Sequence, residues 1–327
     1  MKIDKFASIL ALLALTPCLA SAQITVFSDN FSTSTVNQAP VAPTPTSTSY
    51  EFFSGINGGS STIAPGDLHL ALPSTTSVLG EAQASFTTSP ITLANVGDFL
   101  DLTVTFINSS NILLAGNNNS SLIIGLFNSG GVLPNQGVVT LNSDNTTGGS
   151  QNWLGYFSRI IESGTANIVT RPAQTANGTN SQNQDLLFNN ASSSQAFNSP
   201  TGTSIGSKST TASPVTLTAG STYTLDYRIT FTGANSLTIS NALYNGSSVN
   251  SANTLFNQQA TTAAATFITS SFDSFAIGWR ASLSAAAASS MDITSITVTV
   301  PEPDTVALLT CSATLGLVFH RNRRLRR

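Results

Sequence analysis

Charge, cysteine and histidine are scarce in this 327-residue chain, and each scarcity removes a class of chemistry. The two cysteines, Cys18 and Cys311, sit in apolar stretches at the two ends. The region between them therefore offers neither a disulfide nor a thiol nucleophile. It must be held by a large core, which its length allows. Of the two histidines, His320 belongs to the tail and His69 alternates with apolar neighbours in Asp67-Leu68-His69-Leu70. That alternation puts His69 on the polar side of a strand. One central histidine is a poor basis for a Ser-His-acid relay, and without cysteine it is a poor basis for a transition-metal site. Only 8% of residues are charged. Between residues 23 and 300 the bases are Arg159, Arg171, Lys208, Arg228 and Arg280; twelve acids oppose them, for a net charge of −7. A mildly acidic region without a basic patch argues against a nucleic-acid partner.

The chain begins with a basic start, Lys2 and Lys5, followed by the apolar run Phe6–Leu15 and the small residues Ala20-Ser21-Ala22. This is the pattern of a secretory signal, with signal peptidase expected to cut between Ala22 and Gln23. At the other end, Pro301-Glu302-Pro303 precedes Thr305–Phe319, fifteen residues without an ionisable side chain. As a helix this run reaches about 22 Å, short of the usual span of about 30 Å, but flanking residues snorkel and the bilayer thins locally. Arg321, Arg323, Arg324, Arg326 and Arg327 follow at once. Basic residues beside a span stay cytoplasmic, so the bulk of the chain is expected outside. Pro301 and Pro303 keep the approach to the span extended. The chain is thus divided into a signal peptide (1–22), an ectodomain (23–300) and a sorting tail (301–327).

These three features in fixed order at the C-terminus resemble the PEP-CTERM sorting signal of exopolysaccharide-producing Gram-negative bacteria. The resemblance implies recognition of Pro301, Glu302 and Pro303 by an exosortase, a membrane cysteine transpeptidase or protease. Removal of the tail would follow, and then release or transfer to the cell surface or the extracellular matrix.

Within residues 23–300 no sustained helical period occurs, and short alternating segments dominate. Strands are expected at Ile24–Phe27, Leu68–Leu72, Ala82–Thr88, Phe99–Ile107, Leu122–Phe127, Gly137–Leu141, Asn152–Ile161 and Ala166–Thr170. The clearest hairpin is Thr222–Thr232, where Tyr223, Leu225, Tyr227, Ile229 and Phe231 alternate with polar residues. It turns at Gly233-Ala234-Asn235 and returns through Leu237, Ile239 and Leu243. Phe272–Trp279 and Met291–Val300 close the domain. Thr33–Ser49 and Asn108–Asn119 read as loops, Gln174–Ser213 as loop plus one short strand, and Ala285–Ala288 as a loop or one helical turn. Many short strands joined by Gly, Asn and Ser turns favour two packed antiparallel sheets.

Asp29-Asn30-Phe31-Ser32, Phe272-Asp273-Ser274-Phe275 and the last strand from Met291 to Val298 resemble the concanavalin A-like jelly roll. The resemblance implies a lectin- or glucanase-like β-sandwich whose first and last strands lie together. Laminarinase-type members place their carboxylates on one strand as Glu-x-Asp-x-Glu. Here Glu51, Glu81 and Glu162 are isolated, and glycoside cleavage needs two carboxylates about one bond. The chain is therefore read as a non-enzymatic structural or carbohydrate-associated component, with a polysaccharide-cleaving enzyme or a protein-binding adhesin as alternatives.

Sugars stack on aromatic rings, and Asn, Gln or Arg fix their hydroxyls. Trp153, Phe157 and Arg159 fall on one face of a strand, Tyr156 on the other, and Trp279-Arg280 forms a second aromatic–guanidinium pair. These five residues are the candidate carbohydrate contacts, with extracellular polysaccharide as the partner. No cofactor is expected. Calcium would find oxygen ligands at Asp98 and Asp101, or at Asn142, Asp144 and Asn145, although such residues in β-rich chains commonly form turns.

Overall fold

A computed structural model describes residues 23–32, 50–54, 59–74, 79–113, 120–132, 138–140, 150, 153–173, 187, 202–210, 214–280 and 288–302. The signal segment through Ala22, the loop over 33–49, the candidate ligands Asn142, Asp144 and Asn145, and residues 285–287 lie outside the described residues. So does the tail from Pro303 on, with Arg321, Arg323, Arg324, Arg326 and Arg327. Residues Thr25–Thr299 form one compact unit. Among the described residues no helix is long and apolar enough to cross a membrane.

The expected pair of antiparallel sheets is present. The first sheet runs in the order β15 (Thr254–Thr261), β14 (Ser236–Asn245), β13 (Ser221–Gly233), β7 (Phe99–Ser110), β18 (Ser289–Pro301), β4 (Asp67–Leu72) and β3 (Ser60–Ala64). β1 (Gln23–Asp29) also pairs with β18, so the first and last strands share a sheet. The second sheet runs β12 (Ser204–Thr210), β11 (Thr165–Arg171), β10 (Leu154–Ile161), β8 (Ser121–Asn128), β17 (Ser274–Arg280), β5 (Leu79–Ser85), β2 (Tyr50–Ser54) and β9 (Val138–Thr140). β2 pairs with β9 in parallel. A short pair, β6 (Ile91–Thr92) with β16 (Ser271–Phe272), is separate.

The first sheet shows why period two was legible. Along β7, Leu100, Leu102, Val104 and Phe106 point inward and are buried, while Asp101, Thr103 and Thr105 point outward. β13 lies beside it with Leu225 opposite Val104 and Ile229 opposite Leu100. In the second sheet Leu122, Ile124 and Leu126 of β8 and Phe275, Ile277 and Trp279 of β17 are likewise buried. Each buried apolar side chain contributes about 1.5–3 kcal/mol.

Two of the stretches that resemble the jelly roll are architectural joints. Asp29 Oδ1 accepts the Phe31 N–H at 2.7 Å, and Oδ2 accepts the Tyr50 hydroxyl at 2.9 Å. Phe31 has φ 56°, a left-handed backbone that a bulky residue seldom adopts. The Asp29 contact and the bond from Gly66 N–H to Phe31 C=O at 3.0 Å hold it there. Asp273 accepts three bonds, from Ser129 N–H at 2.8 Å, Ser129 Oγ at 2.7 Å and Ser274 Oγ at 3.0 Å.

Several boundaries differ from expectation. The strand expected over Ala82–Thr88 is Leu79–Ser85, and the chain leaves it as Phe86 N–H bonds Asp273 C=O at 2.8 Å. The loop expected from Asn108 starts later, because Asn108 is buried and satisfied. It donates to Leu217 C=O at 3.1 Å and accepts from Ile112 N–H at 3.1 Å. Within Gln174–Ser213, read as loop plus one short strand, β12 is that strand. β2, β3 and β15 had no counterpart in the sequence reading.

Candidate functional site

The second sheet is buried on both faces: every residue of β17 and nearly every residue of β8, β10 and β11 is buried. Continuous apolar stretches such as Leu122–Phe127 follow from that. Its inner face is fixed by Ser158, whose hydroxyl accepts from Asn241 Nδ2 of the first sheet at 2.8 Å. Alternation then places Phe157 and Arg159 on the outer face. Cross-strand register extends that face. Arg159 lies opposite Ile123 on β8 and Asn167 on β11; Ile123 lies opposite Gly278, and Gly278 opposite Glu81. One row over, Phe157 faces Gly125, Gly125 faces Ala276, and Ala276 faces Gln83. On the other side, Arg280 lies opposite Ser121.

The face is polar, yet withdrawn from water. Arg159 is 8% exposed and Arg280 3%. Glu81 and Gln83 are fully buried; Gln83 Nε2 donates to Glu81 Oε1 at 2.5 Å, and Leu187 N–H donates to Glu81 Oε2 at 2.9 Å. Burial pulls the Arg159 guanidinium down to about 10. Burial, and then the charge of Arg159, pulls Arg280 to about 10. Both remain cationic at neutral pH.

The structure thus brings Phe157, Arg159 and Arg280 to one face and separates the two tryptophans from it. Trp279 is on the opposite side of β17 from Arg280, because successive strand residues point to opposite faces. It fills the core between the sheets, and its indole N–H donates to Ser289 Oγ at 2.8 Å. Trp279 and Arg280 therefore do not form a joint sugar platform. Trp153 precedes β10, is fully buried and donates its indole N–H to Val132 C=O at 2.8 Å. Its own carbonyl accepts from Arg171 Nη1. With no ring surface open, it serves packing. Tyr156 points inward, as the alternation requires, with its hydroxyl donating to Thr269 C=O at 3.1 Å. Asn167, Gln83 and Glu81 were not expected at this face: they stand on other strands and only the register joins them.

The outer face of the first sheet holds two polar groups. His69 Nδ1 lies 2.5 Å from Asp292 Oδ1, and Ser109 Oγ donates to Asp292 Oδ2. A catalytic relay needs the imidazole between hydroxyl and carboxylate; here the carboxylate is in the middle. Nothing in the sequence signals this trio, whose members are far apart in the chain. Farther along, Asp101 hydrogen-bonds Asp226, and its carboxyl is pushed up to about 8, first by burial and then by the Asp226 charge, against the pull of Arg228. Arg228 Nη1 is 3.6 Å from Asp101 Oδ2, and the guanidinium lies 3.6 Å above the Phe99 ring centroid.

Of the candidate calcium ligands, Asp98 closes its own turn, its Oδ2 accepting from Ala94 N–H at 2.9 Å and Asn95 N–H at 2.8 Å. Asp101 is engaged with Asp226 and Arg228 as above. Among the described residues no three of His, Cys, Asp and Glu cluster to hold a metal. Gln23, beside the expected signal cleavage, is the first residue of β1, and Pro301 is the last of β18. Glu302 follows outside any strand.

No family model matches the chain, and no curated sequence is similar to it. Solved structures similar to it are legume-lectin-type domains. Peanut lectin with a nine-residue peptide is 12% identical, with a TM-score of 0.38, over 85% of this chain and 97% of that one. Winged bean acidic lectin complexed with methyl-α-D-galactose is 10% identical, with a TM-score of 0.40, over 86% and 99%. The legume lectin-like domain from Entamoeba histolytica is 8% identical, with a TM-score of 0.38, over 76% and 88%.

Proposed function

We propose that the chain is an exported, non-enzymatic β-sandwich that associates with extracellular polysaccharide through the outer face of its second sheet. One observation carries the reading. Four strands, of which only β10 and β11 are consecutive in the chain, each deliver a polar group to that face: Arg159 from β10, Asn167 from β11, Arg280 from β17 and Gln83 from β5. Guanidinium and amide groups are what a sugar's hydroxyls require; the Phe157 ring, fully buried like that of Trp153, serves packing. The basic start with its small-residue exit, and the Pro301-Glu302-Pro303 tail with its arginines, support signal peptidase and exosortase as processing partners. They also support an envelope or matrix destination.

The carboxylates favour binding over cleavage. Glycosidases hold their two carboxyls about 5–9.5 Å apart, astride a bond. Glu81 is one carboxylate of the outer face, and both its oxygens are occupied; the register puts Glu51 opposite Gln83. Asp101 and Asp226, on the other sheet, are close enough that the Asp226 charge raises the Asp101 carboxyl, and Asp101 also lies 3.6 Å from the Arg228 guanidinium.

Incubating the purified chain with insoluble matrix polysaccharides and measuring retention tests the reading. Retention without release of reducing ends is expected. Failure to bind any polymer removes the carbohydrate part, and release of reducing ends overturns the non-enzymatic part. The mass of the mature C-terminus tests the sorting: a chain that ends at Arg327 in its own host contradicts exosortase processing.

A further inference from the structure

The first sheet ends on a strand that nothing protects. β15 pairs with β14 on one side, and no described strand lies on its other side. A free edge offers its N–H and C=O groups to any chain that can lie beside it. The Thr262 N–H bonds Leu237 C=O at 2.9 Å. Backbone groups two residues apart point the same way, so Phe256, Gln258 and Ala260 turn theirs to β14. Asn257, Gln259 and Thr261 turn theirs to the free side, and these three residues are exposed.

The ends of the two sheet orders elsewhere carry deterrents. β9 is three residues long and β3 five. β12 contains Lys208, and its Gly206, at φ +67°, lies in a register shift against β11. Short strands, lysine and bulges all blunt edge pairing. β15 has eight residues, none of them charged, proline or glycine. From Ile229 to Phe272, a stretch that also holds β14, there is no Asp, Glu, Lys, Arg or His. Residues 23–300 carry a net charge of −7, so two copies repel in general. An uncharged edge is where they can approach.

The strand is also complementary to itself. Laid antiparallel about a two-fold axis at Gln258, two copies of β15 set Asn257 against Gln259, Phe256 against Ala260 and Leu255 against Thr261. Asn257 and Gln259 both turn their backbone groups to the free side, so they meet as a hydrogen-bonded pair. Their side-chain amides each offer a donor and an acceptor to the other. A large side chain faces a small one at Phe256 and Ala260. Leu255, which is 39% exposed, gains the Thr261 methyl as a neighbour.

We propose that β15 pairs with β15 of a second copy, joining two first sheets into one continuous antiparallel sheet. The inference goes beyond the polysaccharide reading and does not depend on it, since that reading uses a face of the second sheet. A two-fold contact closes on itself, so the assembly is a dimer and not a filament.

Sedimentation velocity of the full-length chain in a non-ionic detergent, at concentrations up to about 100 μM, reads the stoichiometry. A concentration-dependent dimer is expected. Gln259→Lys puts a positive charge on both strands of the pair and is expected to raise the dissociation constant by about tenfold or more. Thr62→Lys, on β3 at the opposite end of the sheet, is expected to dimerise as wild type. Oxidative crosslinking reads the register and decides the matter should Gln259→Lys fail to fold. In a Cys18→Ser, Cys311→Ser background, Asn257→Cys and Gln259→Cys proteins are oxidised separately and as a mixture. More disulfide-linked dimer is expected in the mixture than in either alone, because position 257 faces 259 and neither faces itself. A monomer at every concentration overturns the proposal. So does a dimer that Gln259→Lys leaves intact, a dimer that Thr62→Lys weakens equally, or an open series of larger species. Crosslinking no greater in the mixture than in the separate proteins overturns the axis at Gln258.

Discussion

Asn241 and Ser158 join the two sheets through the middle of the core, the Asn241 amide donating to the Ser158 hydroxyl at 2.8 Å. The bond belongs to a polar row. Tyr227, Asn241 and Gln258 lie opposite one another on β13, β14 and β15 and all point inward. The Tyr227 hydroxyl, Asn241 Oδ1 and Gln258 Oε1 are each buried without a hydrogen-bond partner. Burial holds the Tyr227 phenol well above its ordinary pKa, so it stays neutral.

The row makes two opposite predictions. Asn241→Ala strands the Ser158 hydroxyl and opens a cavity, so it is expected to destabilise by about 2–3 kcal/mol. Tyr227→Phe removes a hydroxyl that has no partner, so it is expected to be neutral or stabilising by up to about 1 kcal/mol. Urea denaturation of both variants decides the matter. A Tyr227→Phe loss as large as that of Asn241→Ala would mean the hydroxyl is bonded in solution.

Gly278 and Gly125 make a second prediction, about the outer face of the second sheet. A Cβ on Gly278 would lie 2.5 Å from Gly80 C=O and 2.8 Å from Glu81 Cβ. One on Gly125 would lie 2.7 Å from both Phe157 Cβ and Tyr156 C=O. Backbone cannot move aside as a flexible side chain does. Each Gly→Ala change is expected to cost about 1–3 kcal/mol by overpacking, measured as a lower denaturation midpoint. Gly97→Ala serves as the contrast: the space there is open, and its cost comes from φ +99° alone.

The fold was legible wherever one face of a strand is wet. β7 and β13 alternate cleanly because Asp101, Thr103, Asp226 and Arg228 face outward, and the first strand was expected beside the last. β15 was missed because its inward positions are Phe256, Gln258 and Ala260, only one of them a large apolar residue. β3 was missed because its burial alternates only between intermediate and exposed. In the site, the shared face of Phe157 and Arg159 follows from strand period alone. The joining of Arg280 to them does not, because it depends on Ser121 pairing with both β10 and β17. Treating Trp279 with Arg280 as a unit ignored the same period that placed Phe157 and Arg159 correctly.

Asp273 is the anchor of the loop after β8. It is buried and accepts three hydrogen bonds, two of them from Ser129. Asp273→Ala removes the acceptor and leaves a buried N–H and two hydroxyls seeking partners. A loss of about 3–5 kcal/mol is expected. Asp273→Asn keeps the shape but turns one oxygen into a donor facing the Ser129 groups, so it is expected to recover only part of the loss. Full recovery would show that shape, not charge, sets the contribution.

Asp101 sets how stability depends on pH. Its carboxyl is pushed from 3.8 up to about 8, by burial first and by hydrogen-bonded Asp226 second. A group whose folded-state value is raised binds its proton more tightly when folded. Its contribution is therefore complete below about pH 4 and is lost as pH rises toward about 8. Asp101→Asn cannot ionise, so its stability is expected to fall less over that interval. At pH 8 it is expected to exceed wild type by at least about 1 kcal/mol. The substitution gives up the contact with Arg228 at 3.6 Å, a partly exposed pair worth less than about 1 kcal/mol, while Arg228 keeps its seat over Phe99. Melting temperatures of both proteins from pH 4 to pH 9 measure the difference. Parallel curves, or an Asp101→Asn protein less stable than wild type at pH 8, would show that the carboxyl is already ionised at neutral pH and held by Arg228 instead.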